Sequence, residues 1–138
     1  MLDRTFNYNP RRAKELLQLF LEFSPDICFH LEIHPALLSE ELKKELRQLP
    51  AGLLHLEAGI QSLREPVLEK SRRIGKLSDA LEGLKFLCSL SNMETHADLI
   101  AGLPLYRLDE IFEDIYTLAG YRAGEIQLES LKLLPGTE

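Results

Sequence analysis

The segment LLHLEAGI, residues 53–60, alternates apolar and polar side chains. In an extended strand such an alternation places the two sets on opposite faces. The sets are Leu54, Leu56 and Ala58 on one side, and His55, Glu57 and Gly59 on the other. A parallel strand that is covered on both faces is normally apolar throughout. The segment therefore predicts a sheet with one apolar face and one face that is wet or lines a site.

The same pattern recurs along the chain, separated by stretches with helical spacing of apolar residues. The predicted strands are residues 2–6, 27–34, 53–60, 95–101 and 125–133. The predicted helices are about residues 10–23, 36–49, 66–73, 78–90 and 108–119. Strands that alternate with helices predict an α/β fold with a parallel sheet and right-handed crossovers. Because a closed eight-unit barrel needs about 250 residues, we expect a partial (β/α) barrel of the TIM type.

Polar side chains dominate one face of this predicted sheet. We expect six of them to share the concave side: His30, Glu32, His55, Glu57, His96 and Asp98. In parallel α/β folds the functional groups gather at the carboxyl ends of the strands. The sequence places Glu32, Gln61, Asp98 and Gly102 there.

Composition and charge limit the classes of partner. The 138 residues are 45% hydrophobic and 28% charged, and the formal net charge is -6. An acidic chain offers no general attraction to a nucleic-acid backbone or to an anionic membrane, so we expect neither partner. No apolar stretch approaches the roughly 18 residues of a membrane helix, and the start of the chain is not a secretory leader. We expect the cytoplasm as the compartment.

Four motifs, in the order typical of one family, resemble the radical S-adenosylmethionine (SAM) superfamily. They are EIHP at 32–35, EAGIQS at 57–62, DLIAGLP at 98–104 and LKLLPGT at 131–137. The likeness is greatest to the oxygen-independent coproporphyrinogen III oxidase group and to Fe–S oxidoreductases with a cobalamin-binding domain. The opening LDRTFN, residues 2–7, is similar to the latter.

The resemblance implies a cofactor set for the parent polypeptide: SAM, a [4Fe-4S] cluster and, in the cobalamin-binding group, cobalamin. The family's six-unit partial barrel carries a CxxxCxxC cluster loop after its first strand. Cys28 and Cys88 lie 60 positions apart, so the cluster ligands are absent from this chain. We expect both thiols to be reduced and buried.

Residues 1–138 would thus form one domain, corresponding to about strands two to six of the family barrel. The parent would be an oxidoreductase that reductively cleaves SAM to a 5′-deoxyadenosyl radical and abstracts hydrogen from a small-molecule or cofactor substrate. The chain by itself would be inactive. Its partner would be the missing N-terminal part of the same polypeptide, or a second copy joined through the unpaired strand 2–6 or the open face.

The resemblance also implies six cofactor-binding residues: Glu32, Gln61, Arg73, Asp98, Ile100 and Gly102. Carboxylates such as Glu32 and Asp98 would contact the ribose or the ammonium group, and Arg73 would pair with the SAM carboxylate. Adenine would rest on Ile100 and the backbone near Gly102. The family's Gly-Gly-Glu motif is replaced by DRT at residues 3–5, so the methionine-end contacts depart from the pattern. The resemblance assigns no catalytic residue and no metal ligand.

Two other functions remain open. All four histidines, His30, His34, His55 and His96, fall on the polar face, as in a metal-dependent hydrolase. Their spacing forms no HxH pair and no helical HExxH motif, which favours neutral interior histidines instead. The other alternative is a non-catalytic scaffold domain, which would bind no SAM.

Overall fold

The computed structural model describes residues 5–23 and 27–132. Four strands form one parallel sheet in the order β1-β2-β3-β4, which confirms the α/β class and the parallel sheet. The strands are β1 (Phe29–Ile33), β2 (Leu54–Gln61), β3 (Glu94–Ala101) and β4 (Glu125–Ser130). The helices are α1 (Pro10–Phe20), α2 (Glu40–Gln48), α3 (Glu65–Lys70), α4 (Leu77–Cys88) and α5 (Leu108–Ala119). Short 3-10 turns occupy Phe6–Tyr8 and Pro35–Leu37.

Local capping fixes where the first two helices begin. The Asn9 side chain accepts a hydrogen bond from the Arg12 amide, and Pro10 fills the first helical turn. The Ser39 hydroxyl accepts from the Leu42 amide at 3.2 Å. These caps satisfy backbone amides that have no partner within their own helix.

The core lies between the helices and the apolar face of the sheet. Its fully buried members include Leu17, Leu46, Leu56, Leu84, Leu99 and Leu118. The strands supply every second residue and the helices supply one stripe each. Among the described residues, no helix is long and apolar enough to cross a bilayer.

Helix α4 packs directly on the 3-10 turn at Pro35–Leu37. A Cβ atom placed on Gly83 would lie only 2.7 Å from the Pro35 carbonyl carbon, so the two backbones touch at this point. This contact positions the end of β1, where Glu32 and His34 lie, against the rest of the molecule.

Several predicted boundaries were wrong. Phe6, predicted as the end of the first strand, begins a 3-10 turn and is buried, while residues 2–4 lie outside the described part of the chain. The predicted helix 36–49 is divided, because Ser39 caps a new helix after the turn at Pro35. Helix α1 ends at Phe20 and leaves Phe23 48% exposed. The last strand ends at Ser130.

Candidate functional site

The strand register brings the predicted polar residues together on the face opposite the helices. Glu32 pairs with Glu57, and Glu57 pairs in turn with His96. His30 is level with His55, and Asp98 is level with Gly59. The prediction that these six polar side chains share one face is therefore confirmed.

A cavity of about 510 Å³ opens on this polar face towards the carboxyl ends of the strands. Its lining is Thr5, Glu32, Ile33, His34, Glu57, Gly59, Gln61, Arg73, Asp98, Ile100 and Glu129. Five of the six residues proposed from the resemblance are in this lining. Gly102 is not; it turns the chain after β3 with a φ of 91°, a conformation that favours glycine.

Arg73 reaches across the sheet from the loop after α3. Its Nη2 donates a hydrogen bond to the Gly59 carbonyl oxygen at 2.6 Å. A Cβ on residue 59 would lie 3.2 Å from this nitrogen, so glycine leaves the room that the guanidinium uses. Burial lowers the pKa of Arg73, and the nearby Glu32 carboxylate opposes this shift. Because a guanidinium group keeps its proton in proteins, Arg73 is cationic at the cavity wall.

Asp98 lies at the floor of the cavity and is only 9% exposed. Among the described residues, nothing hydrogen-bonds to its Oδ1. Burial raises the pKa of Asp98 to about 8, helped by hydrogen bonding to Glu57 and by the negative charges of Glu57, Glu32 and Glu129. At neutral pH this carboxyl group therefore holds a proton.

His34 closes the cavity next to the end of β1. Asn7 holds its backbone, donating through Nδ2 to the His34 carbonyl and accepting from the His34 amide, each at 2.8 Å. Burial, and after it the charge of Arg73, lower the pKa of His34 to about 4. The imidazole is therefore neutral at physiological pH. No feature of the sequence indicates this role of Asn7.

Gln61 reaches the cavity through an irregularity in β2. The register shifts between Gly59 and Gln61, and Gln61 adopts a φ of 70°, which is unusual for a residue with a side chain.

Buried Asp114 holds the loop that follows β2, since its Oδ2 accepts from the Leu63 amide at 2.8 Å and from the Tyr106 hydroxyl at 2.6 Å. Arg64 donates to its Oδ1 at 2.9 Å.

Three histidines form a separate row towards the amino ends of the strands. The rings of His30 and His55 stack at 4.6 Å, and His55 Nε2 lies 3.1 Å from His96 Nδ1. Burial lowers the pKa of His55, and so do its two histidine neighbours. Within residues 5–23 and 27–132, no group of three or more potential ligands is arranged to hold a metal ion. The geometry thus gives the hydrolase alternative no metal site in that part of the chain.

The two cysteines lie away from the cavity. Cys28 is exposed, so the expectation that it is buried was wrong; it lies just before β1 begins at Phe29. Cys88 ends α4 and is half-buried, and burial raises the pKa of its thiol. A [4Fe-4S] cluster needs three thiolates even when one iron is left for another ligand, so this chain does not supply the set.

Comparison in sequence finds a partial match to one curated protein, and no family model matches the chain. Heme chaperone HemW from Bacillus subtilis (strain 168) is 27% identical over 128 residues. The match covers 92% of this chain but only 33% of that protein. The chain thus spans about a third of the length of this relative.

Comparison of structures finds the same fold in radical SAM enzymes. The methyltransferase TsrM from Kitasatospora setae, with cobalamin and a [4Fe-4S] cluster bound, superimposes with a TM-score of 0.78 at 18% identity; the match covers 99% of this chain and 26% of TsrM. Coproporphyrinogen III oxidase (HemN) from Escherichia coli gives 0.73 at 20% identity, over 92% of this chain and 30% of HemN. The chain therefore has the fold of a partial radical SAM barrel, and the resemblance seen in the sequence is confirmed.

Proposed function

We propose that this chain is the SAM-binding portion of a radical SAM protein, with residues 1–138 forming one domain that corresponds to about strands two to six of its barrel. The observation that carries the proposal is the cavity on the polar face, which gathers Glu32, Gln61, Arg73, Asp98 and Ile100. These residues come from three strands and one loop that are far apart in sequence. The similarity to HemW and to the TsrM and HemN structures supports the same class.

The chemical character of the cavity fits SAM. A half-buried guanidinium at Arg73 suits a carboxylate, and the carboxyl groups of Glu32 and Asp98 suit hydroxyl or ammonium donors. The unpartnered Oδ1 of Asp98 is a buried acceptor that lacks a donor, which is costly unless a ligand supplies one. Ile100, half-buried on β3, offers an apolar surface for the adenine ring.

The role of the chain is to bind and orient the cofactor and to exclude water from it. Bound at a reduced [4Fe-4S] cluster, SAM supplies a 5′-deoxyadenosyl radical that abstracts hydrogen. The thiolates for that cluster would come from the missing N-terminal part of the same polypeptide, so the chain alone would be inactive. We place the parent among oxidoreductases of the cytoplasm that act on a small molecule, with cobalamin as an additional cofactor if it resembles TsrM.

Replacing Arg73 tests this proposal. We expect Arg73→Met to weaken SAM binding at least about tenfold, because a charge-assisted hydrogen bond contributes roughly that much. The measurement is isothermal titration calorimetry with SAM. Arg72→Met is the matched control, since Arg72 is exposed and lies outside the cavity lining. Absence of SAM binding to the unchanged chain, or equal loss in both variants, would contradict the proposal and favour a scaffold domain.

A further inference from the structure

Glu57 stands at the centre of the polar face and opens the EAGIQS motif, yet it is not among the six implied cofactor-binding residues or the proposed contacts. It pairs in register with Glu32 on one side and with His96 on the other. Its carboxylate lies 4.0 Å from His96 Nε2, is partly exposed, and lines the cavity. The side chain is therefore placed to meet a ligand rather than to fill the core.

Asp98 provides an independent sign that this part of the cavity takes a ligand. Its side chain is more than nine-tenths buried, lines the cavity, and has an Oδ1 without a hydrogen-bond partner among the described residues. Glu57 is the neighbour that most strongly opposes its ionisation, through both hydrogen bonding and charge. Asp98 therefore holds a proton, beside the carboxyl group of Glu57, when no ligand is bound.

The charges around the pair are predominantly negative. Glu32 faces it from β1 and Glu129 from β4, and Glu129 is also held by Lys132 at 3.2 Å. Arg73 is the one side chain in the described lining that is cationic at neutral pH, and its Nη2 is engaged with the Gly59 carbonyl. His34 and His96, also nearby, are the remaining titratable groups, and His34 is neutral. An added positive charge would relieve this imbalance.

We propose that Glu57 and Asp98 bind the positively charged centre of the ligand and so select a cationic ligand over its neutral analogue. The inference rests on the proposed function, under which the ligand is SAM and the charge is that of its sulfonium group. S-adenosylhomocysteine, the neutral thioether, has the same adenosine and amino-acid ends. When the cation enters, Asp98 ionises and its proton passes to water.

The first experiment compares the two ligands by calorimetry at pH 7. We expect Glu57→Gln to weaken SAM binding by about tenfold while changing S-adenosylhomocysteine binding by less than about twofold. Glu94→Gln is the matched control, because Glu94 begins β3 on the same face and is exposed outside the cavity. It should leave both affinities within about twofold.

The second measurement follows the Asp98 carboxyl carbon by NMR in the unchanged chain. We expect it to titrate near pH 8 without ligand and at lower pH with SAM, but not with S-adenosylhomocysteine. If both ligands bind and Glu57→Gln weakens them equally, the charge selection is wrong while the SAM site stands. If Asp98 titrates at its ordinary pH, the inference that it holds a proton at neutral pH is wrong as well. If neither ligand binds, the proposed function and this inference both fail.

Discussion

Gly83→Ala is expected to destabilise the fold by about 3 kcal/mol, because the new methyl group would overlap the backbone of Pro35. Alanine normally stabilises a helix by up to about 1 kcal/mol relative to glycine. Here the clash should outweigh that gain, since the obstructing atoms are the carbonyl group of Pro35 and cannot turn aside. Thermal unfolding should show a Tm lower by roughly 10 °C.

Gly124→Ala is the matched control for this substitution. A Cβ at residue 124 would meet the Thr95 carbonyl oxygen at 3.5 Å, an ordinary contact, and the residue is exposed. Its free energy of unfolding should stay within about 1 kcal/mol of that of the unchanged protein, in either direction. A Gly83→Ala protein as stable as the Gly124→Ala protein would show that α4 does not pack on the Pro35–Leu37 turn as described.

Asp114→Asn is the second substitution for which we expect a large effect, a loss of about 2–4 kcal/mol. Asp114 is 1% exposed and accepts hydrogen bonds from the Leu63 amide, the Tyr106 hydroxyl and the Arg64 guanidinium. An asparagine has one oxygen in place of two, so at least one donor loses its acceptor and the Arg64 charge loses its buried counterion. Urea denaturation at pH 7 measures the loss.

The control for Asp114→Asn is a substitution at Glu113, the other acidic residue that pairs with the Arg64 guanidinium. Glu113 also pairs with Arg64, at 2.7 Å, but its side chain is 67% exposed. Glu113→Gln should therefore cost less than about 1 kcal/mol, as surface ion pairs usually do. Equal losses in the two variants would mean that burial of Asp114 is not the source of its effect.

The parts of the site that the sequence predicted correctly depend on strand alternation. Because successive side chains of a strand point to opposite faces, the run from Leu54 to Gly59 by itself indicates which residues share the polar surface. The parallel register seen in the structure then aligns Glu32 with Glu57. That residues at the carboxyl ends of the strands lie close together could be predicted, because parallel strands end at the same edge of a sheet.

The parts that were missed depend on contacts between segments distant in sequence. The clamp of Asn7 on the His34 backbone joins residues 27 positions apart, and an asparagine in a turn gives no sign of such a partner. In the sequence, Asp114 is one of several acidic residues that a solvated helix face would carry. In the structure it is buried, in contact with Tyr106 and Arg64. The left-handed backbone of Gln61 has no local signal either, since the residue is not glycine.

The boundary errors have local causes. A short apolar alternation at residues 2–6 cannot distinguish a strand from a chain that turns, and the buried Phe6 belongs to a 3-10 turn stacked near Phe20. The prediction of one helix over residues 36–49 was wrong at its start, because a 3-10 turn begins at Pro35 and Ser39 caps a separate helix. Whether residues 2–4 pair with a second copy stays a prediction, because they lie outside the described residues.

The central claim, that the cavity on the polar face binds SAM, is tested most directly by NMR of the isotope-labelled chain titrated with SAM. We expect shifts confined to the residues that line the cavity, among them Glu32, Glu57, Gln61, Arg73, Asp98 and Ile100, with their signals saturating together. Signals of the histidine row, for example His30, should move little, because that row lies outside the lining. No shift up to millimolar SAM, or shifts centred on the histidine row with the cavity unchanged, would contradict it.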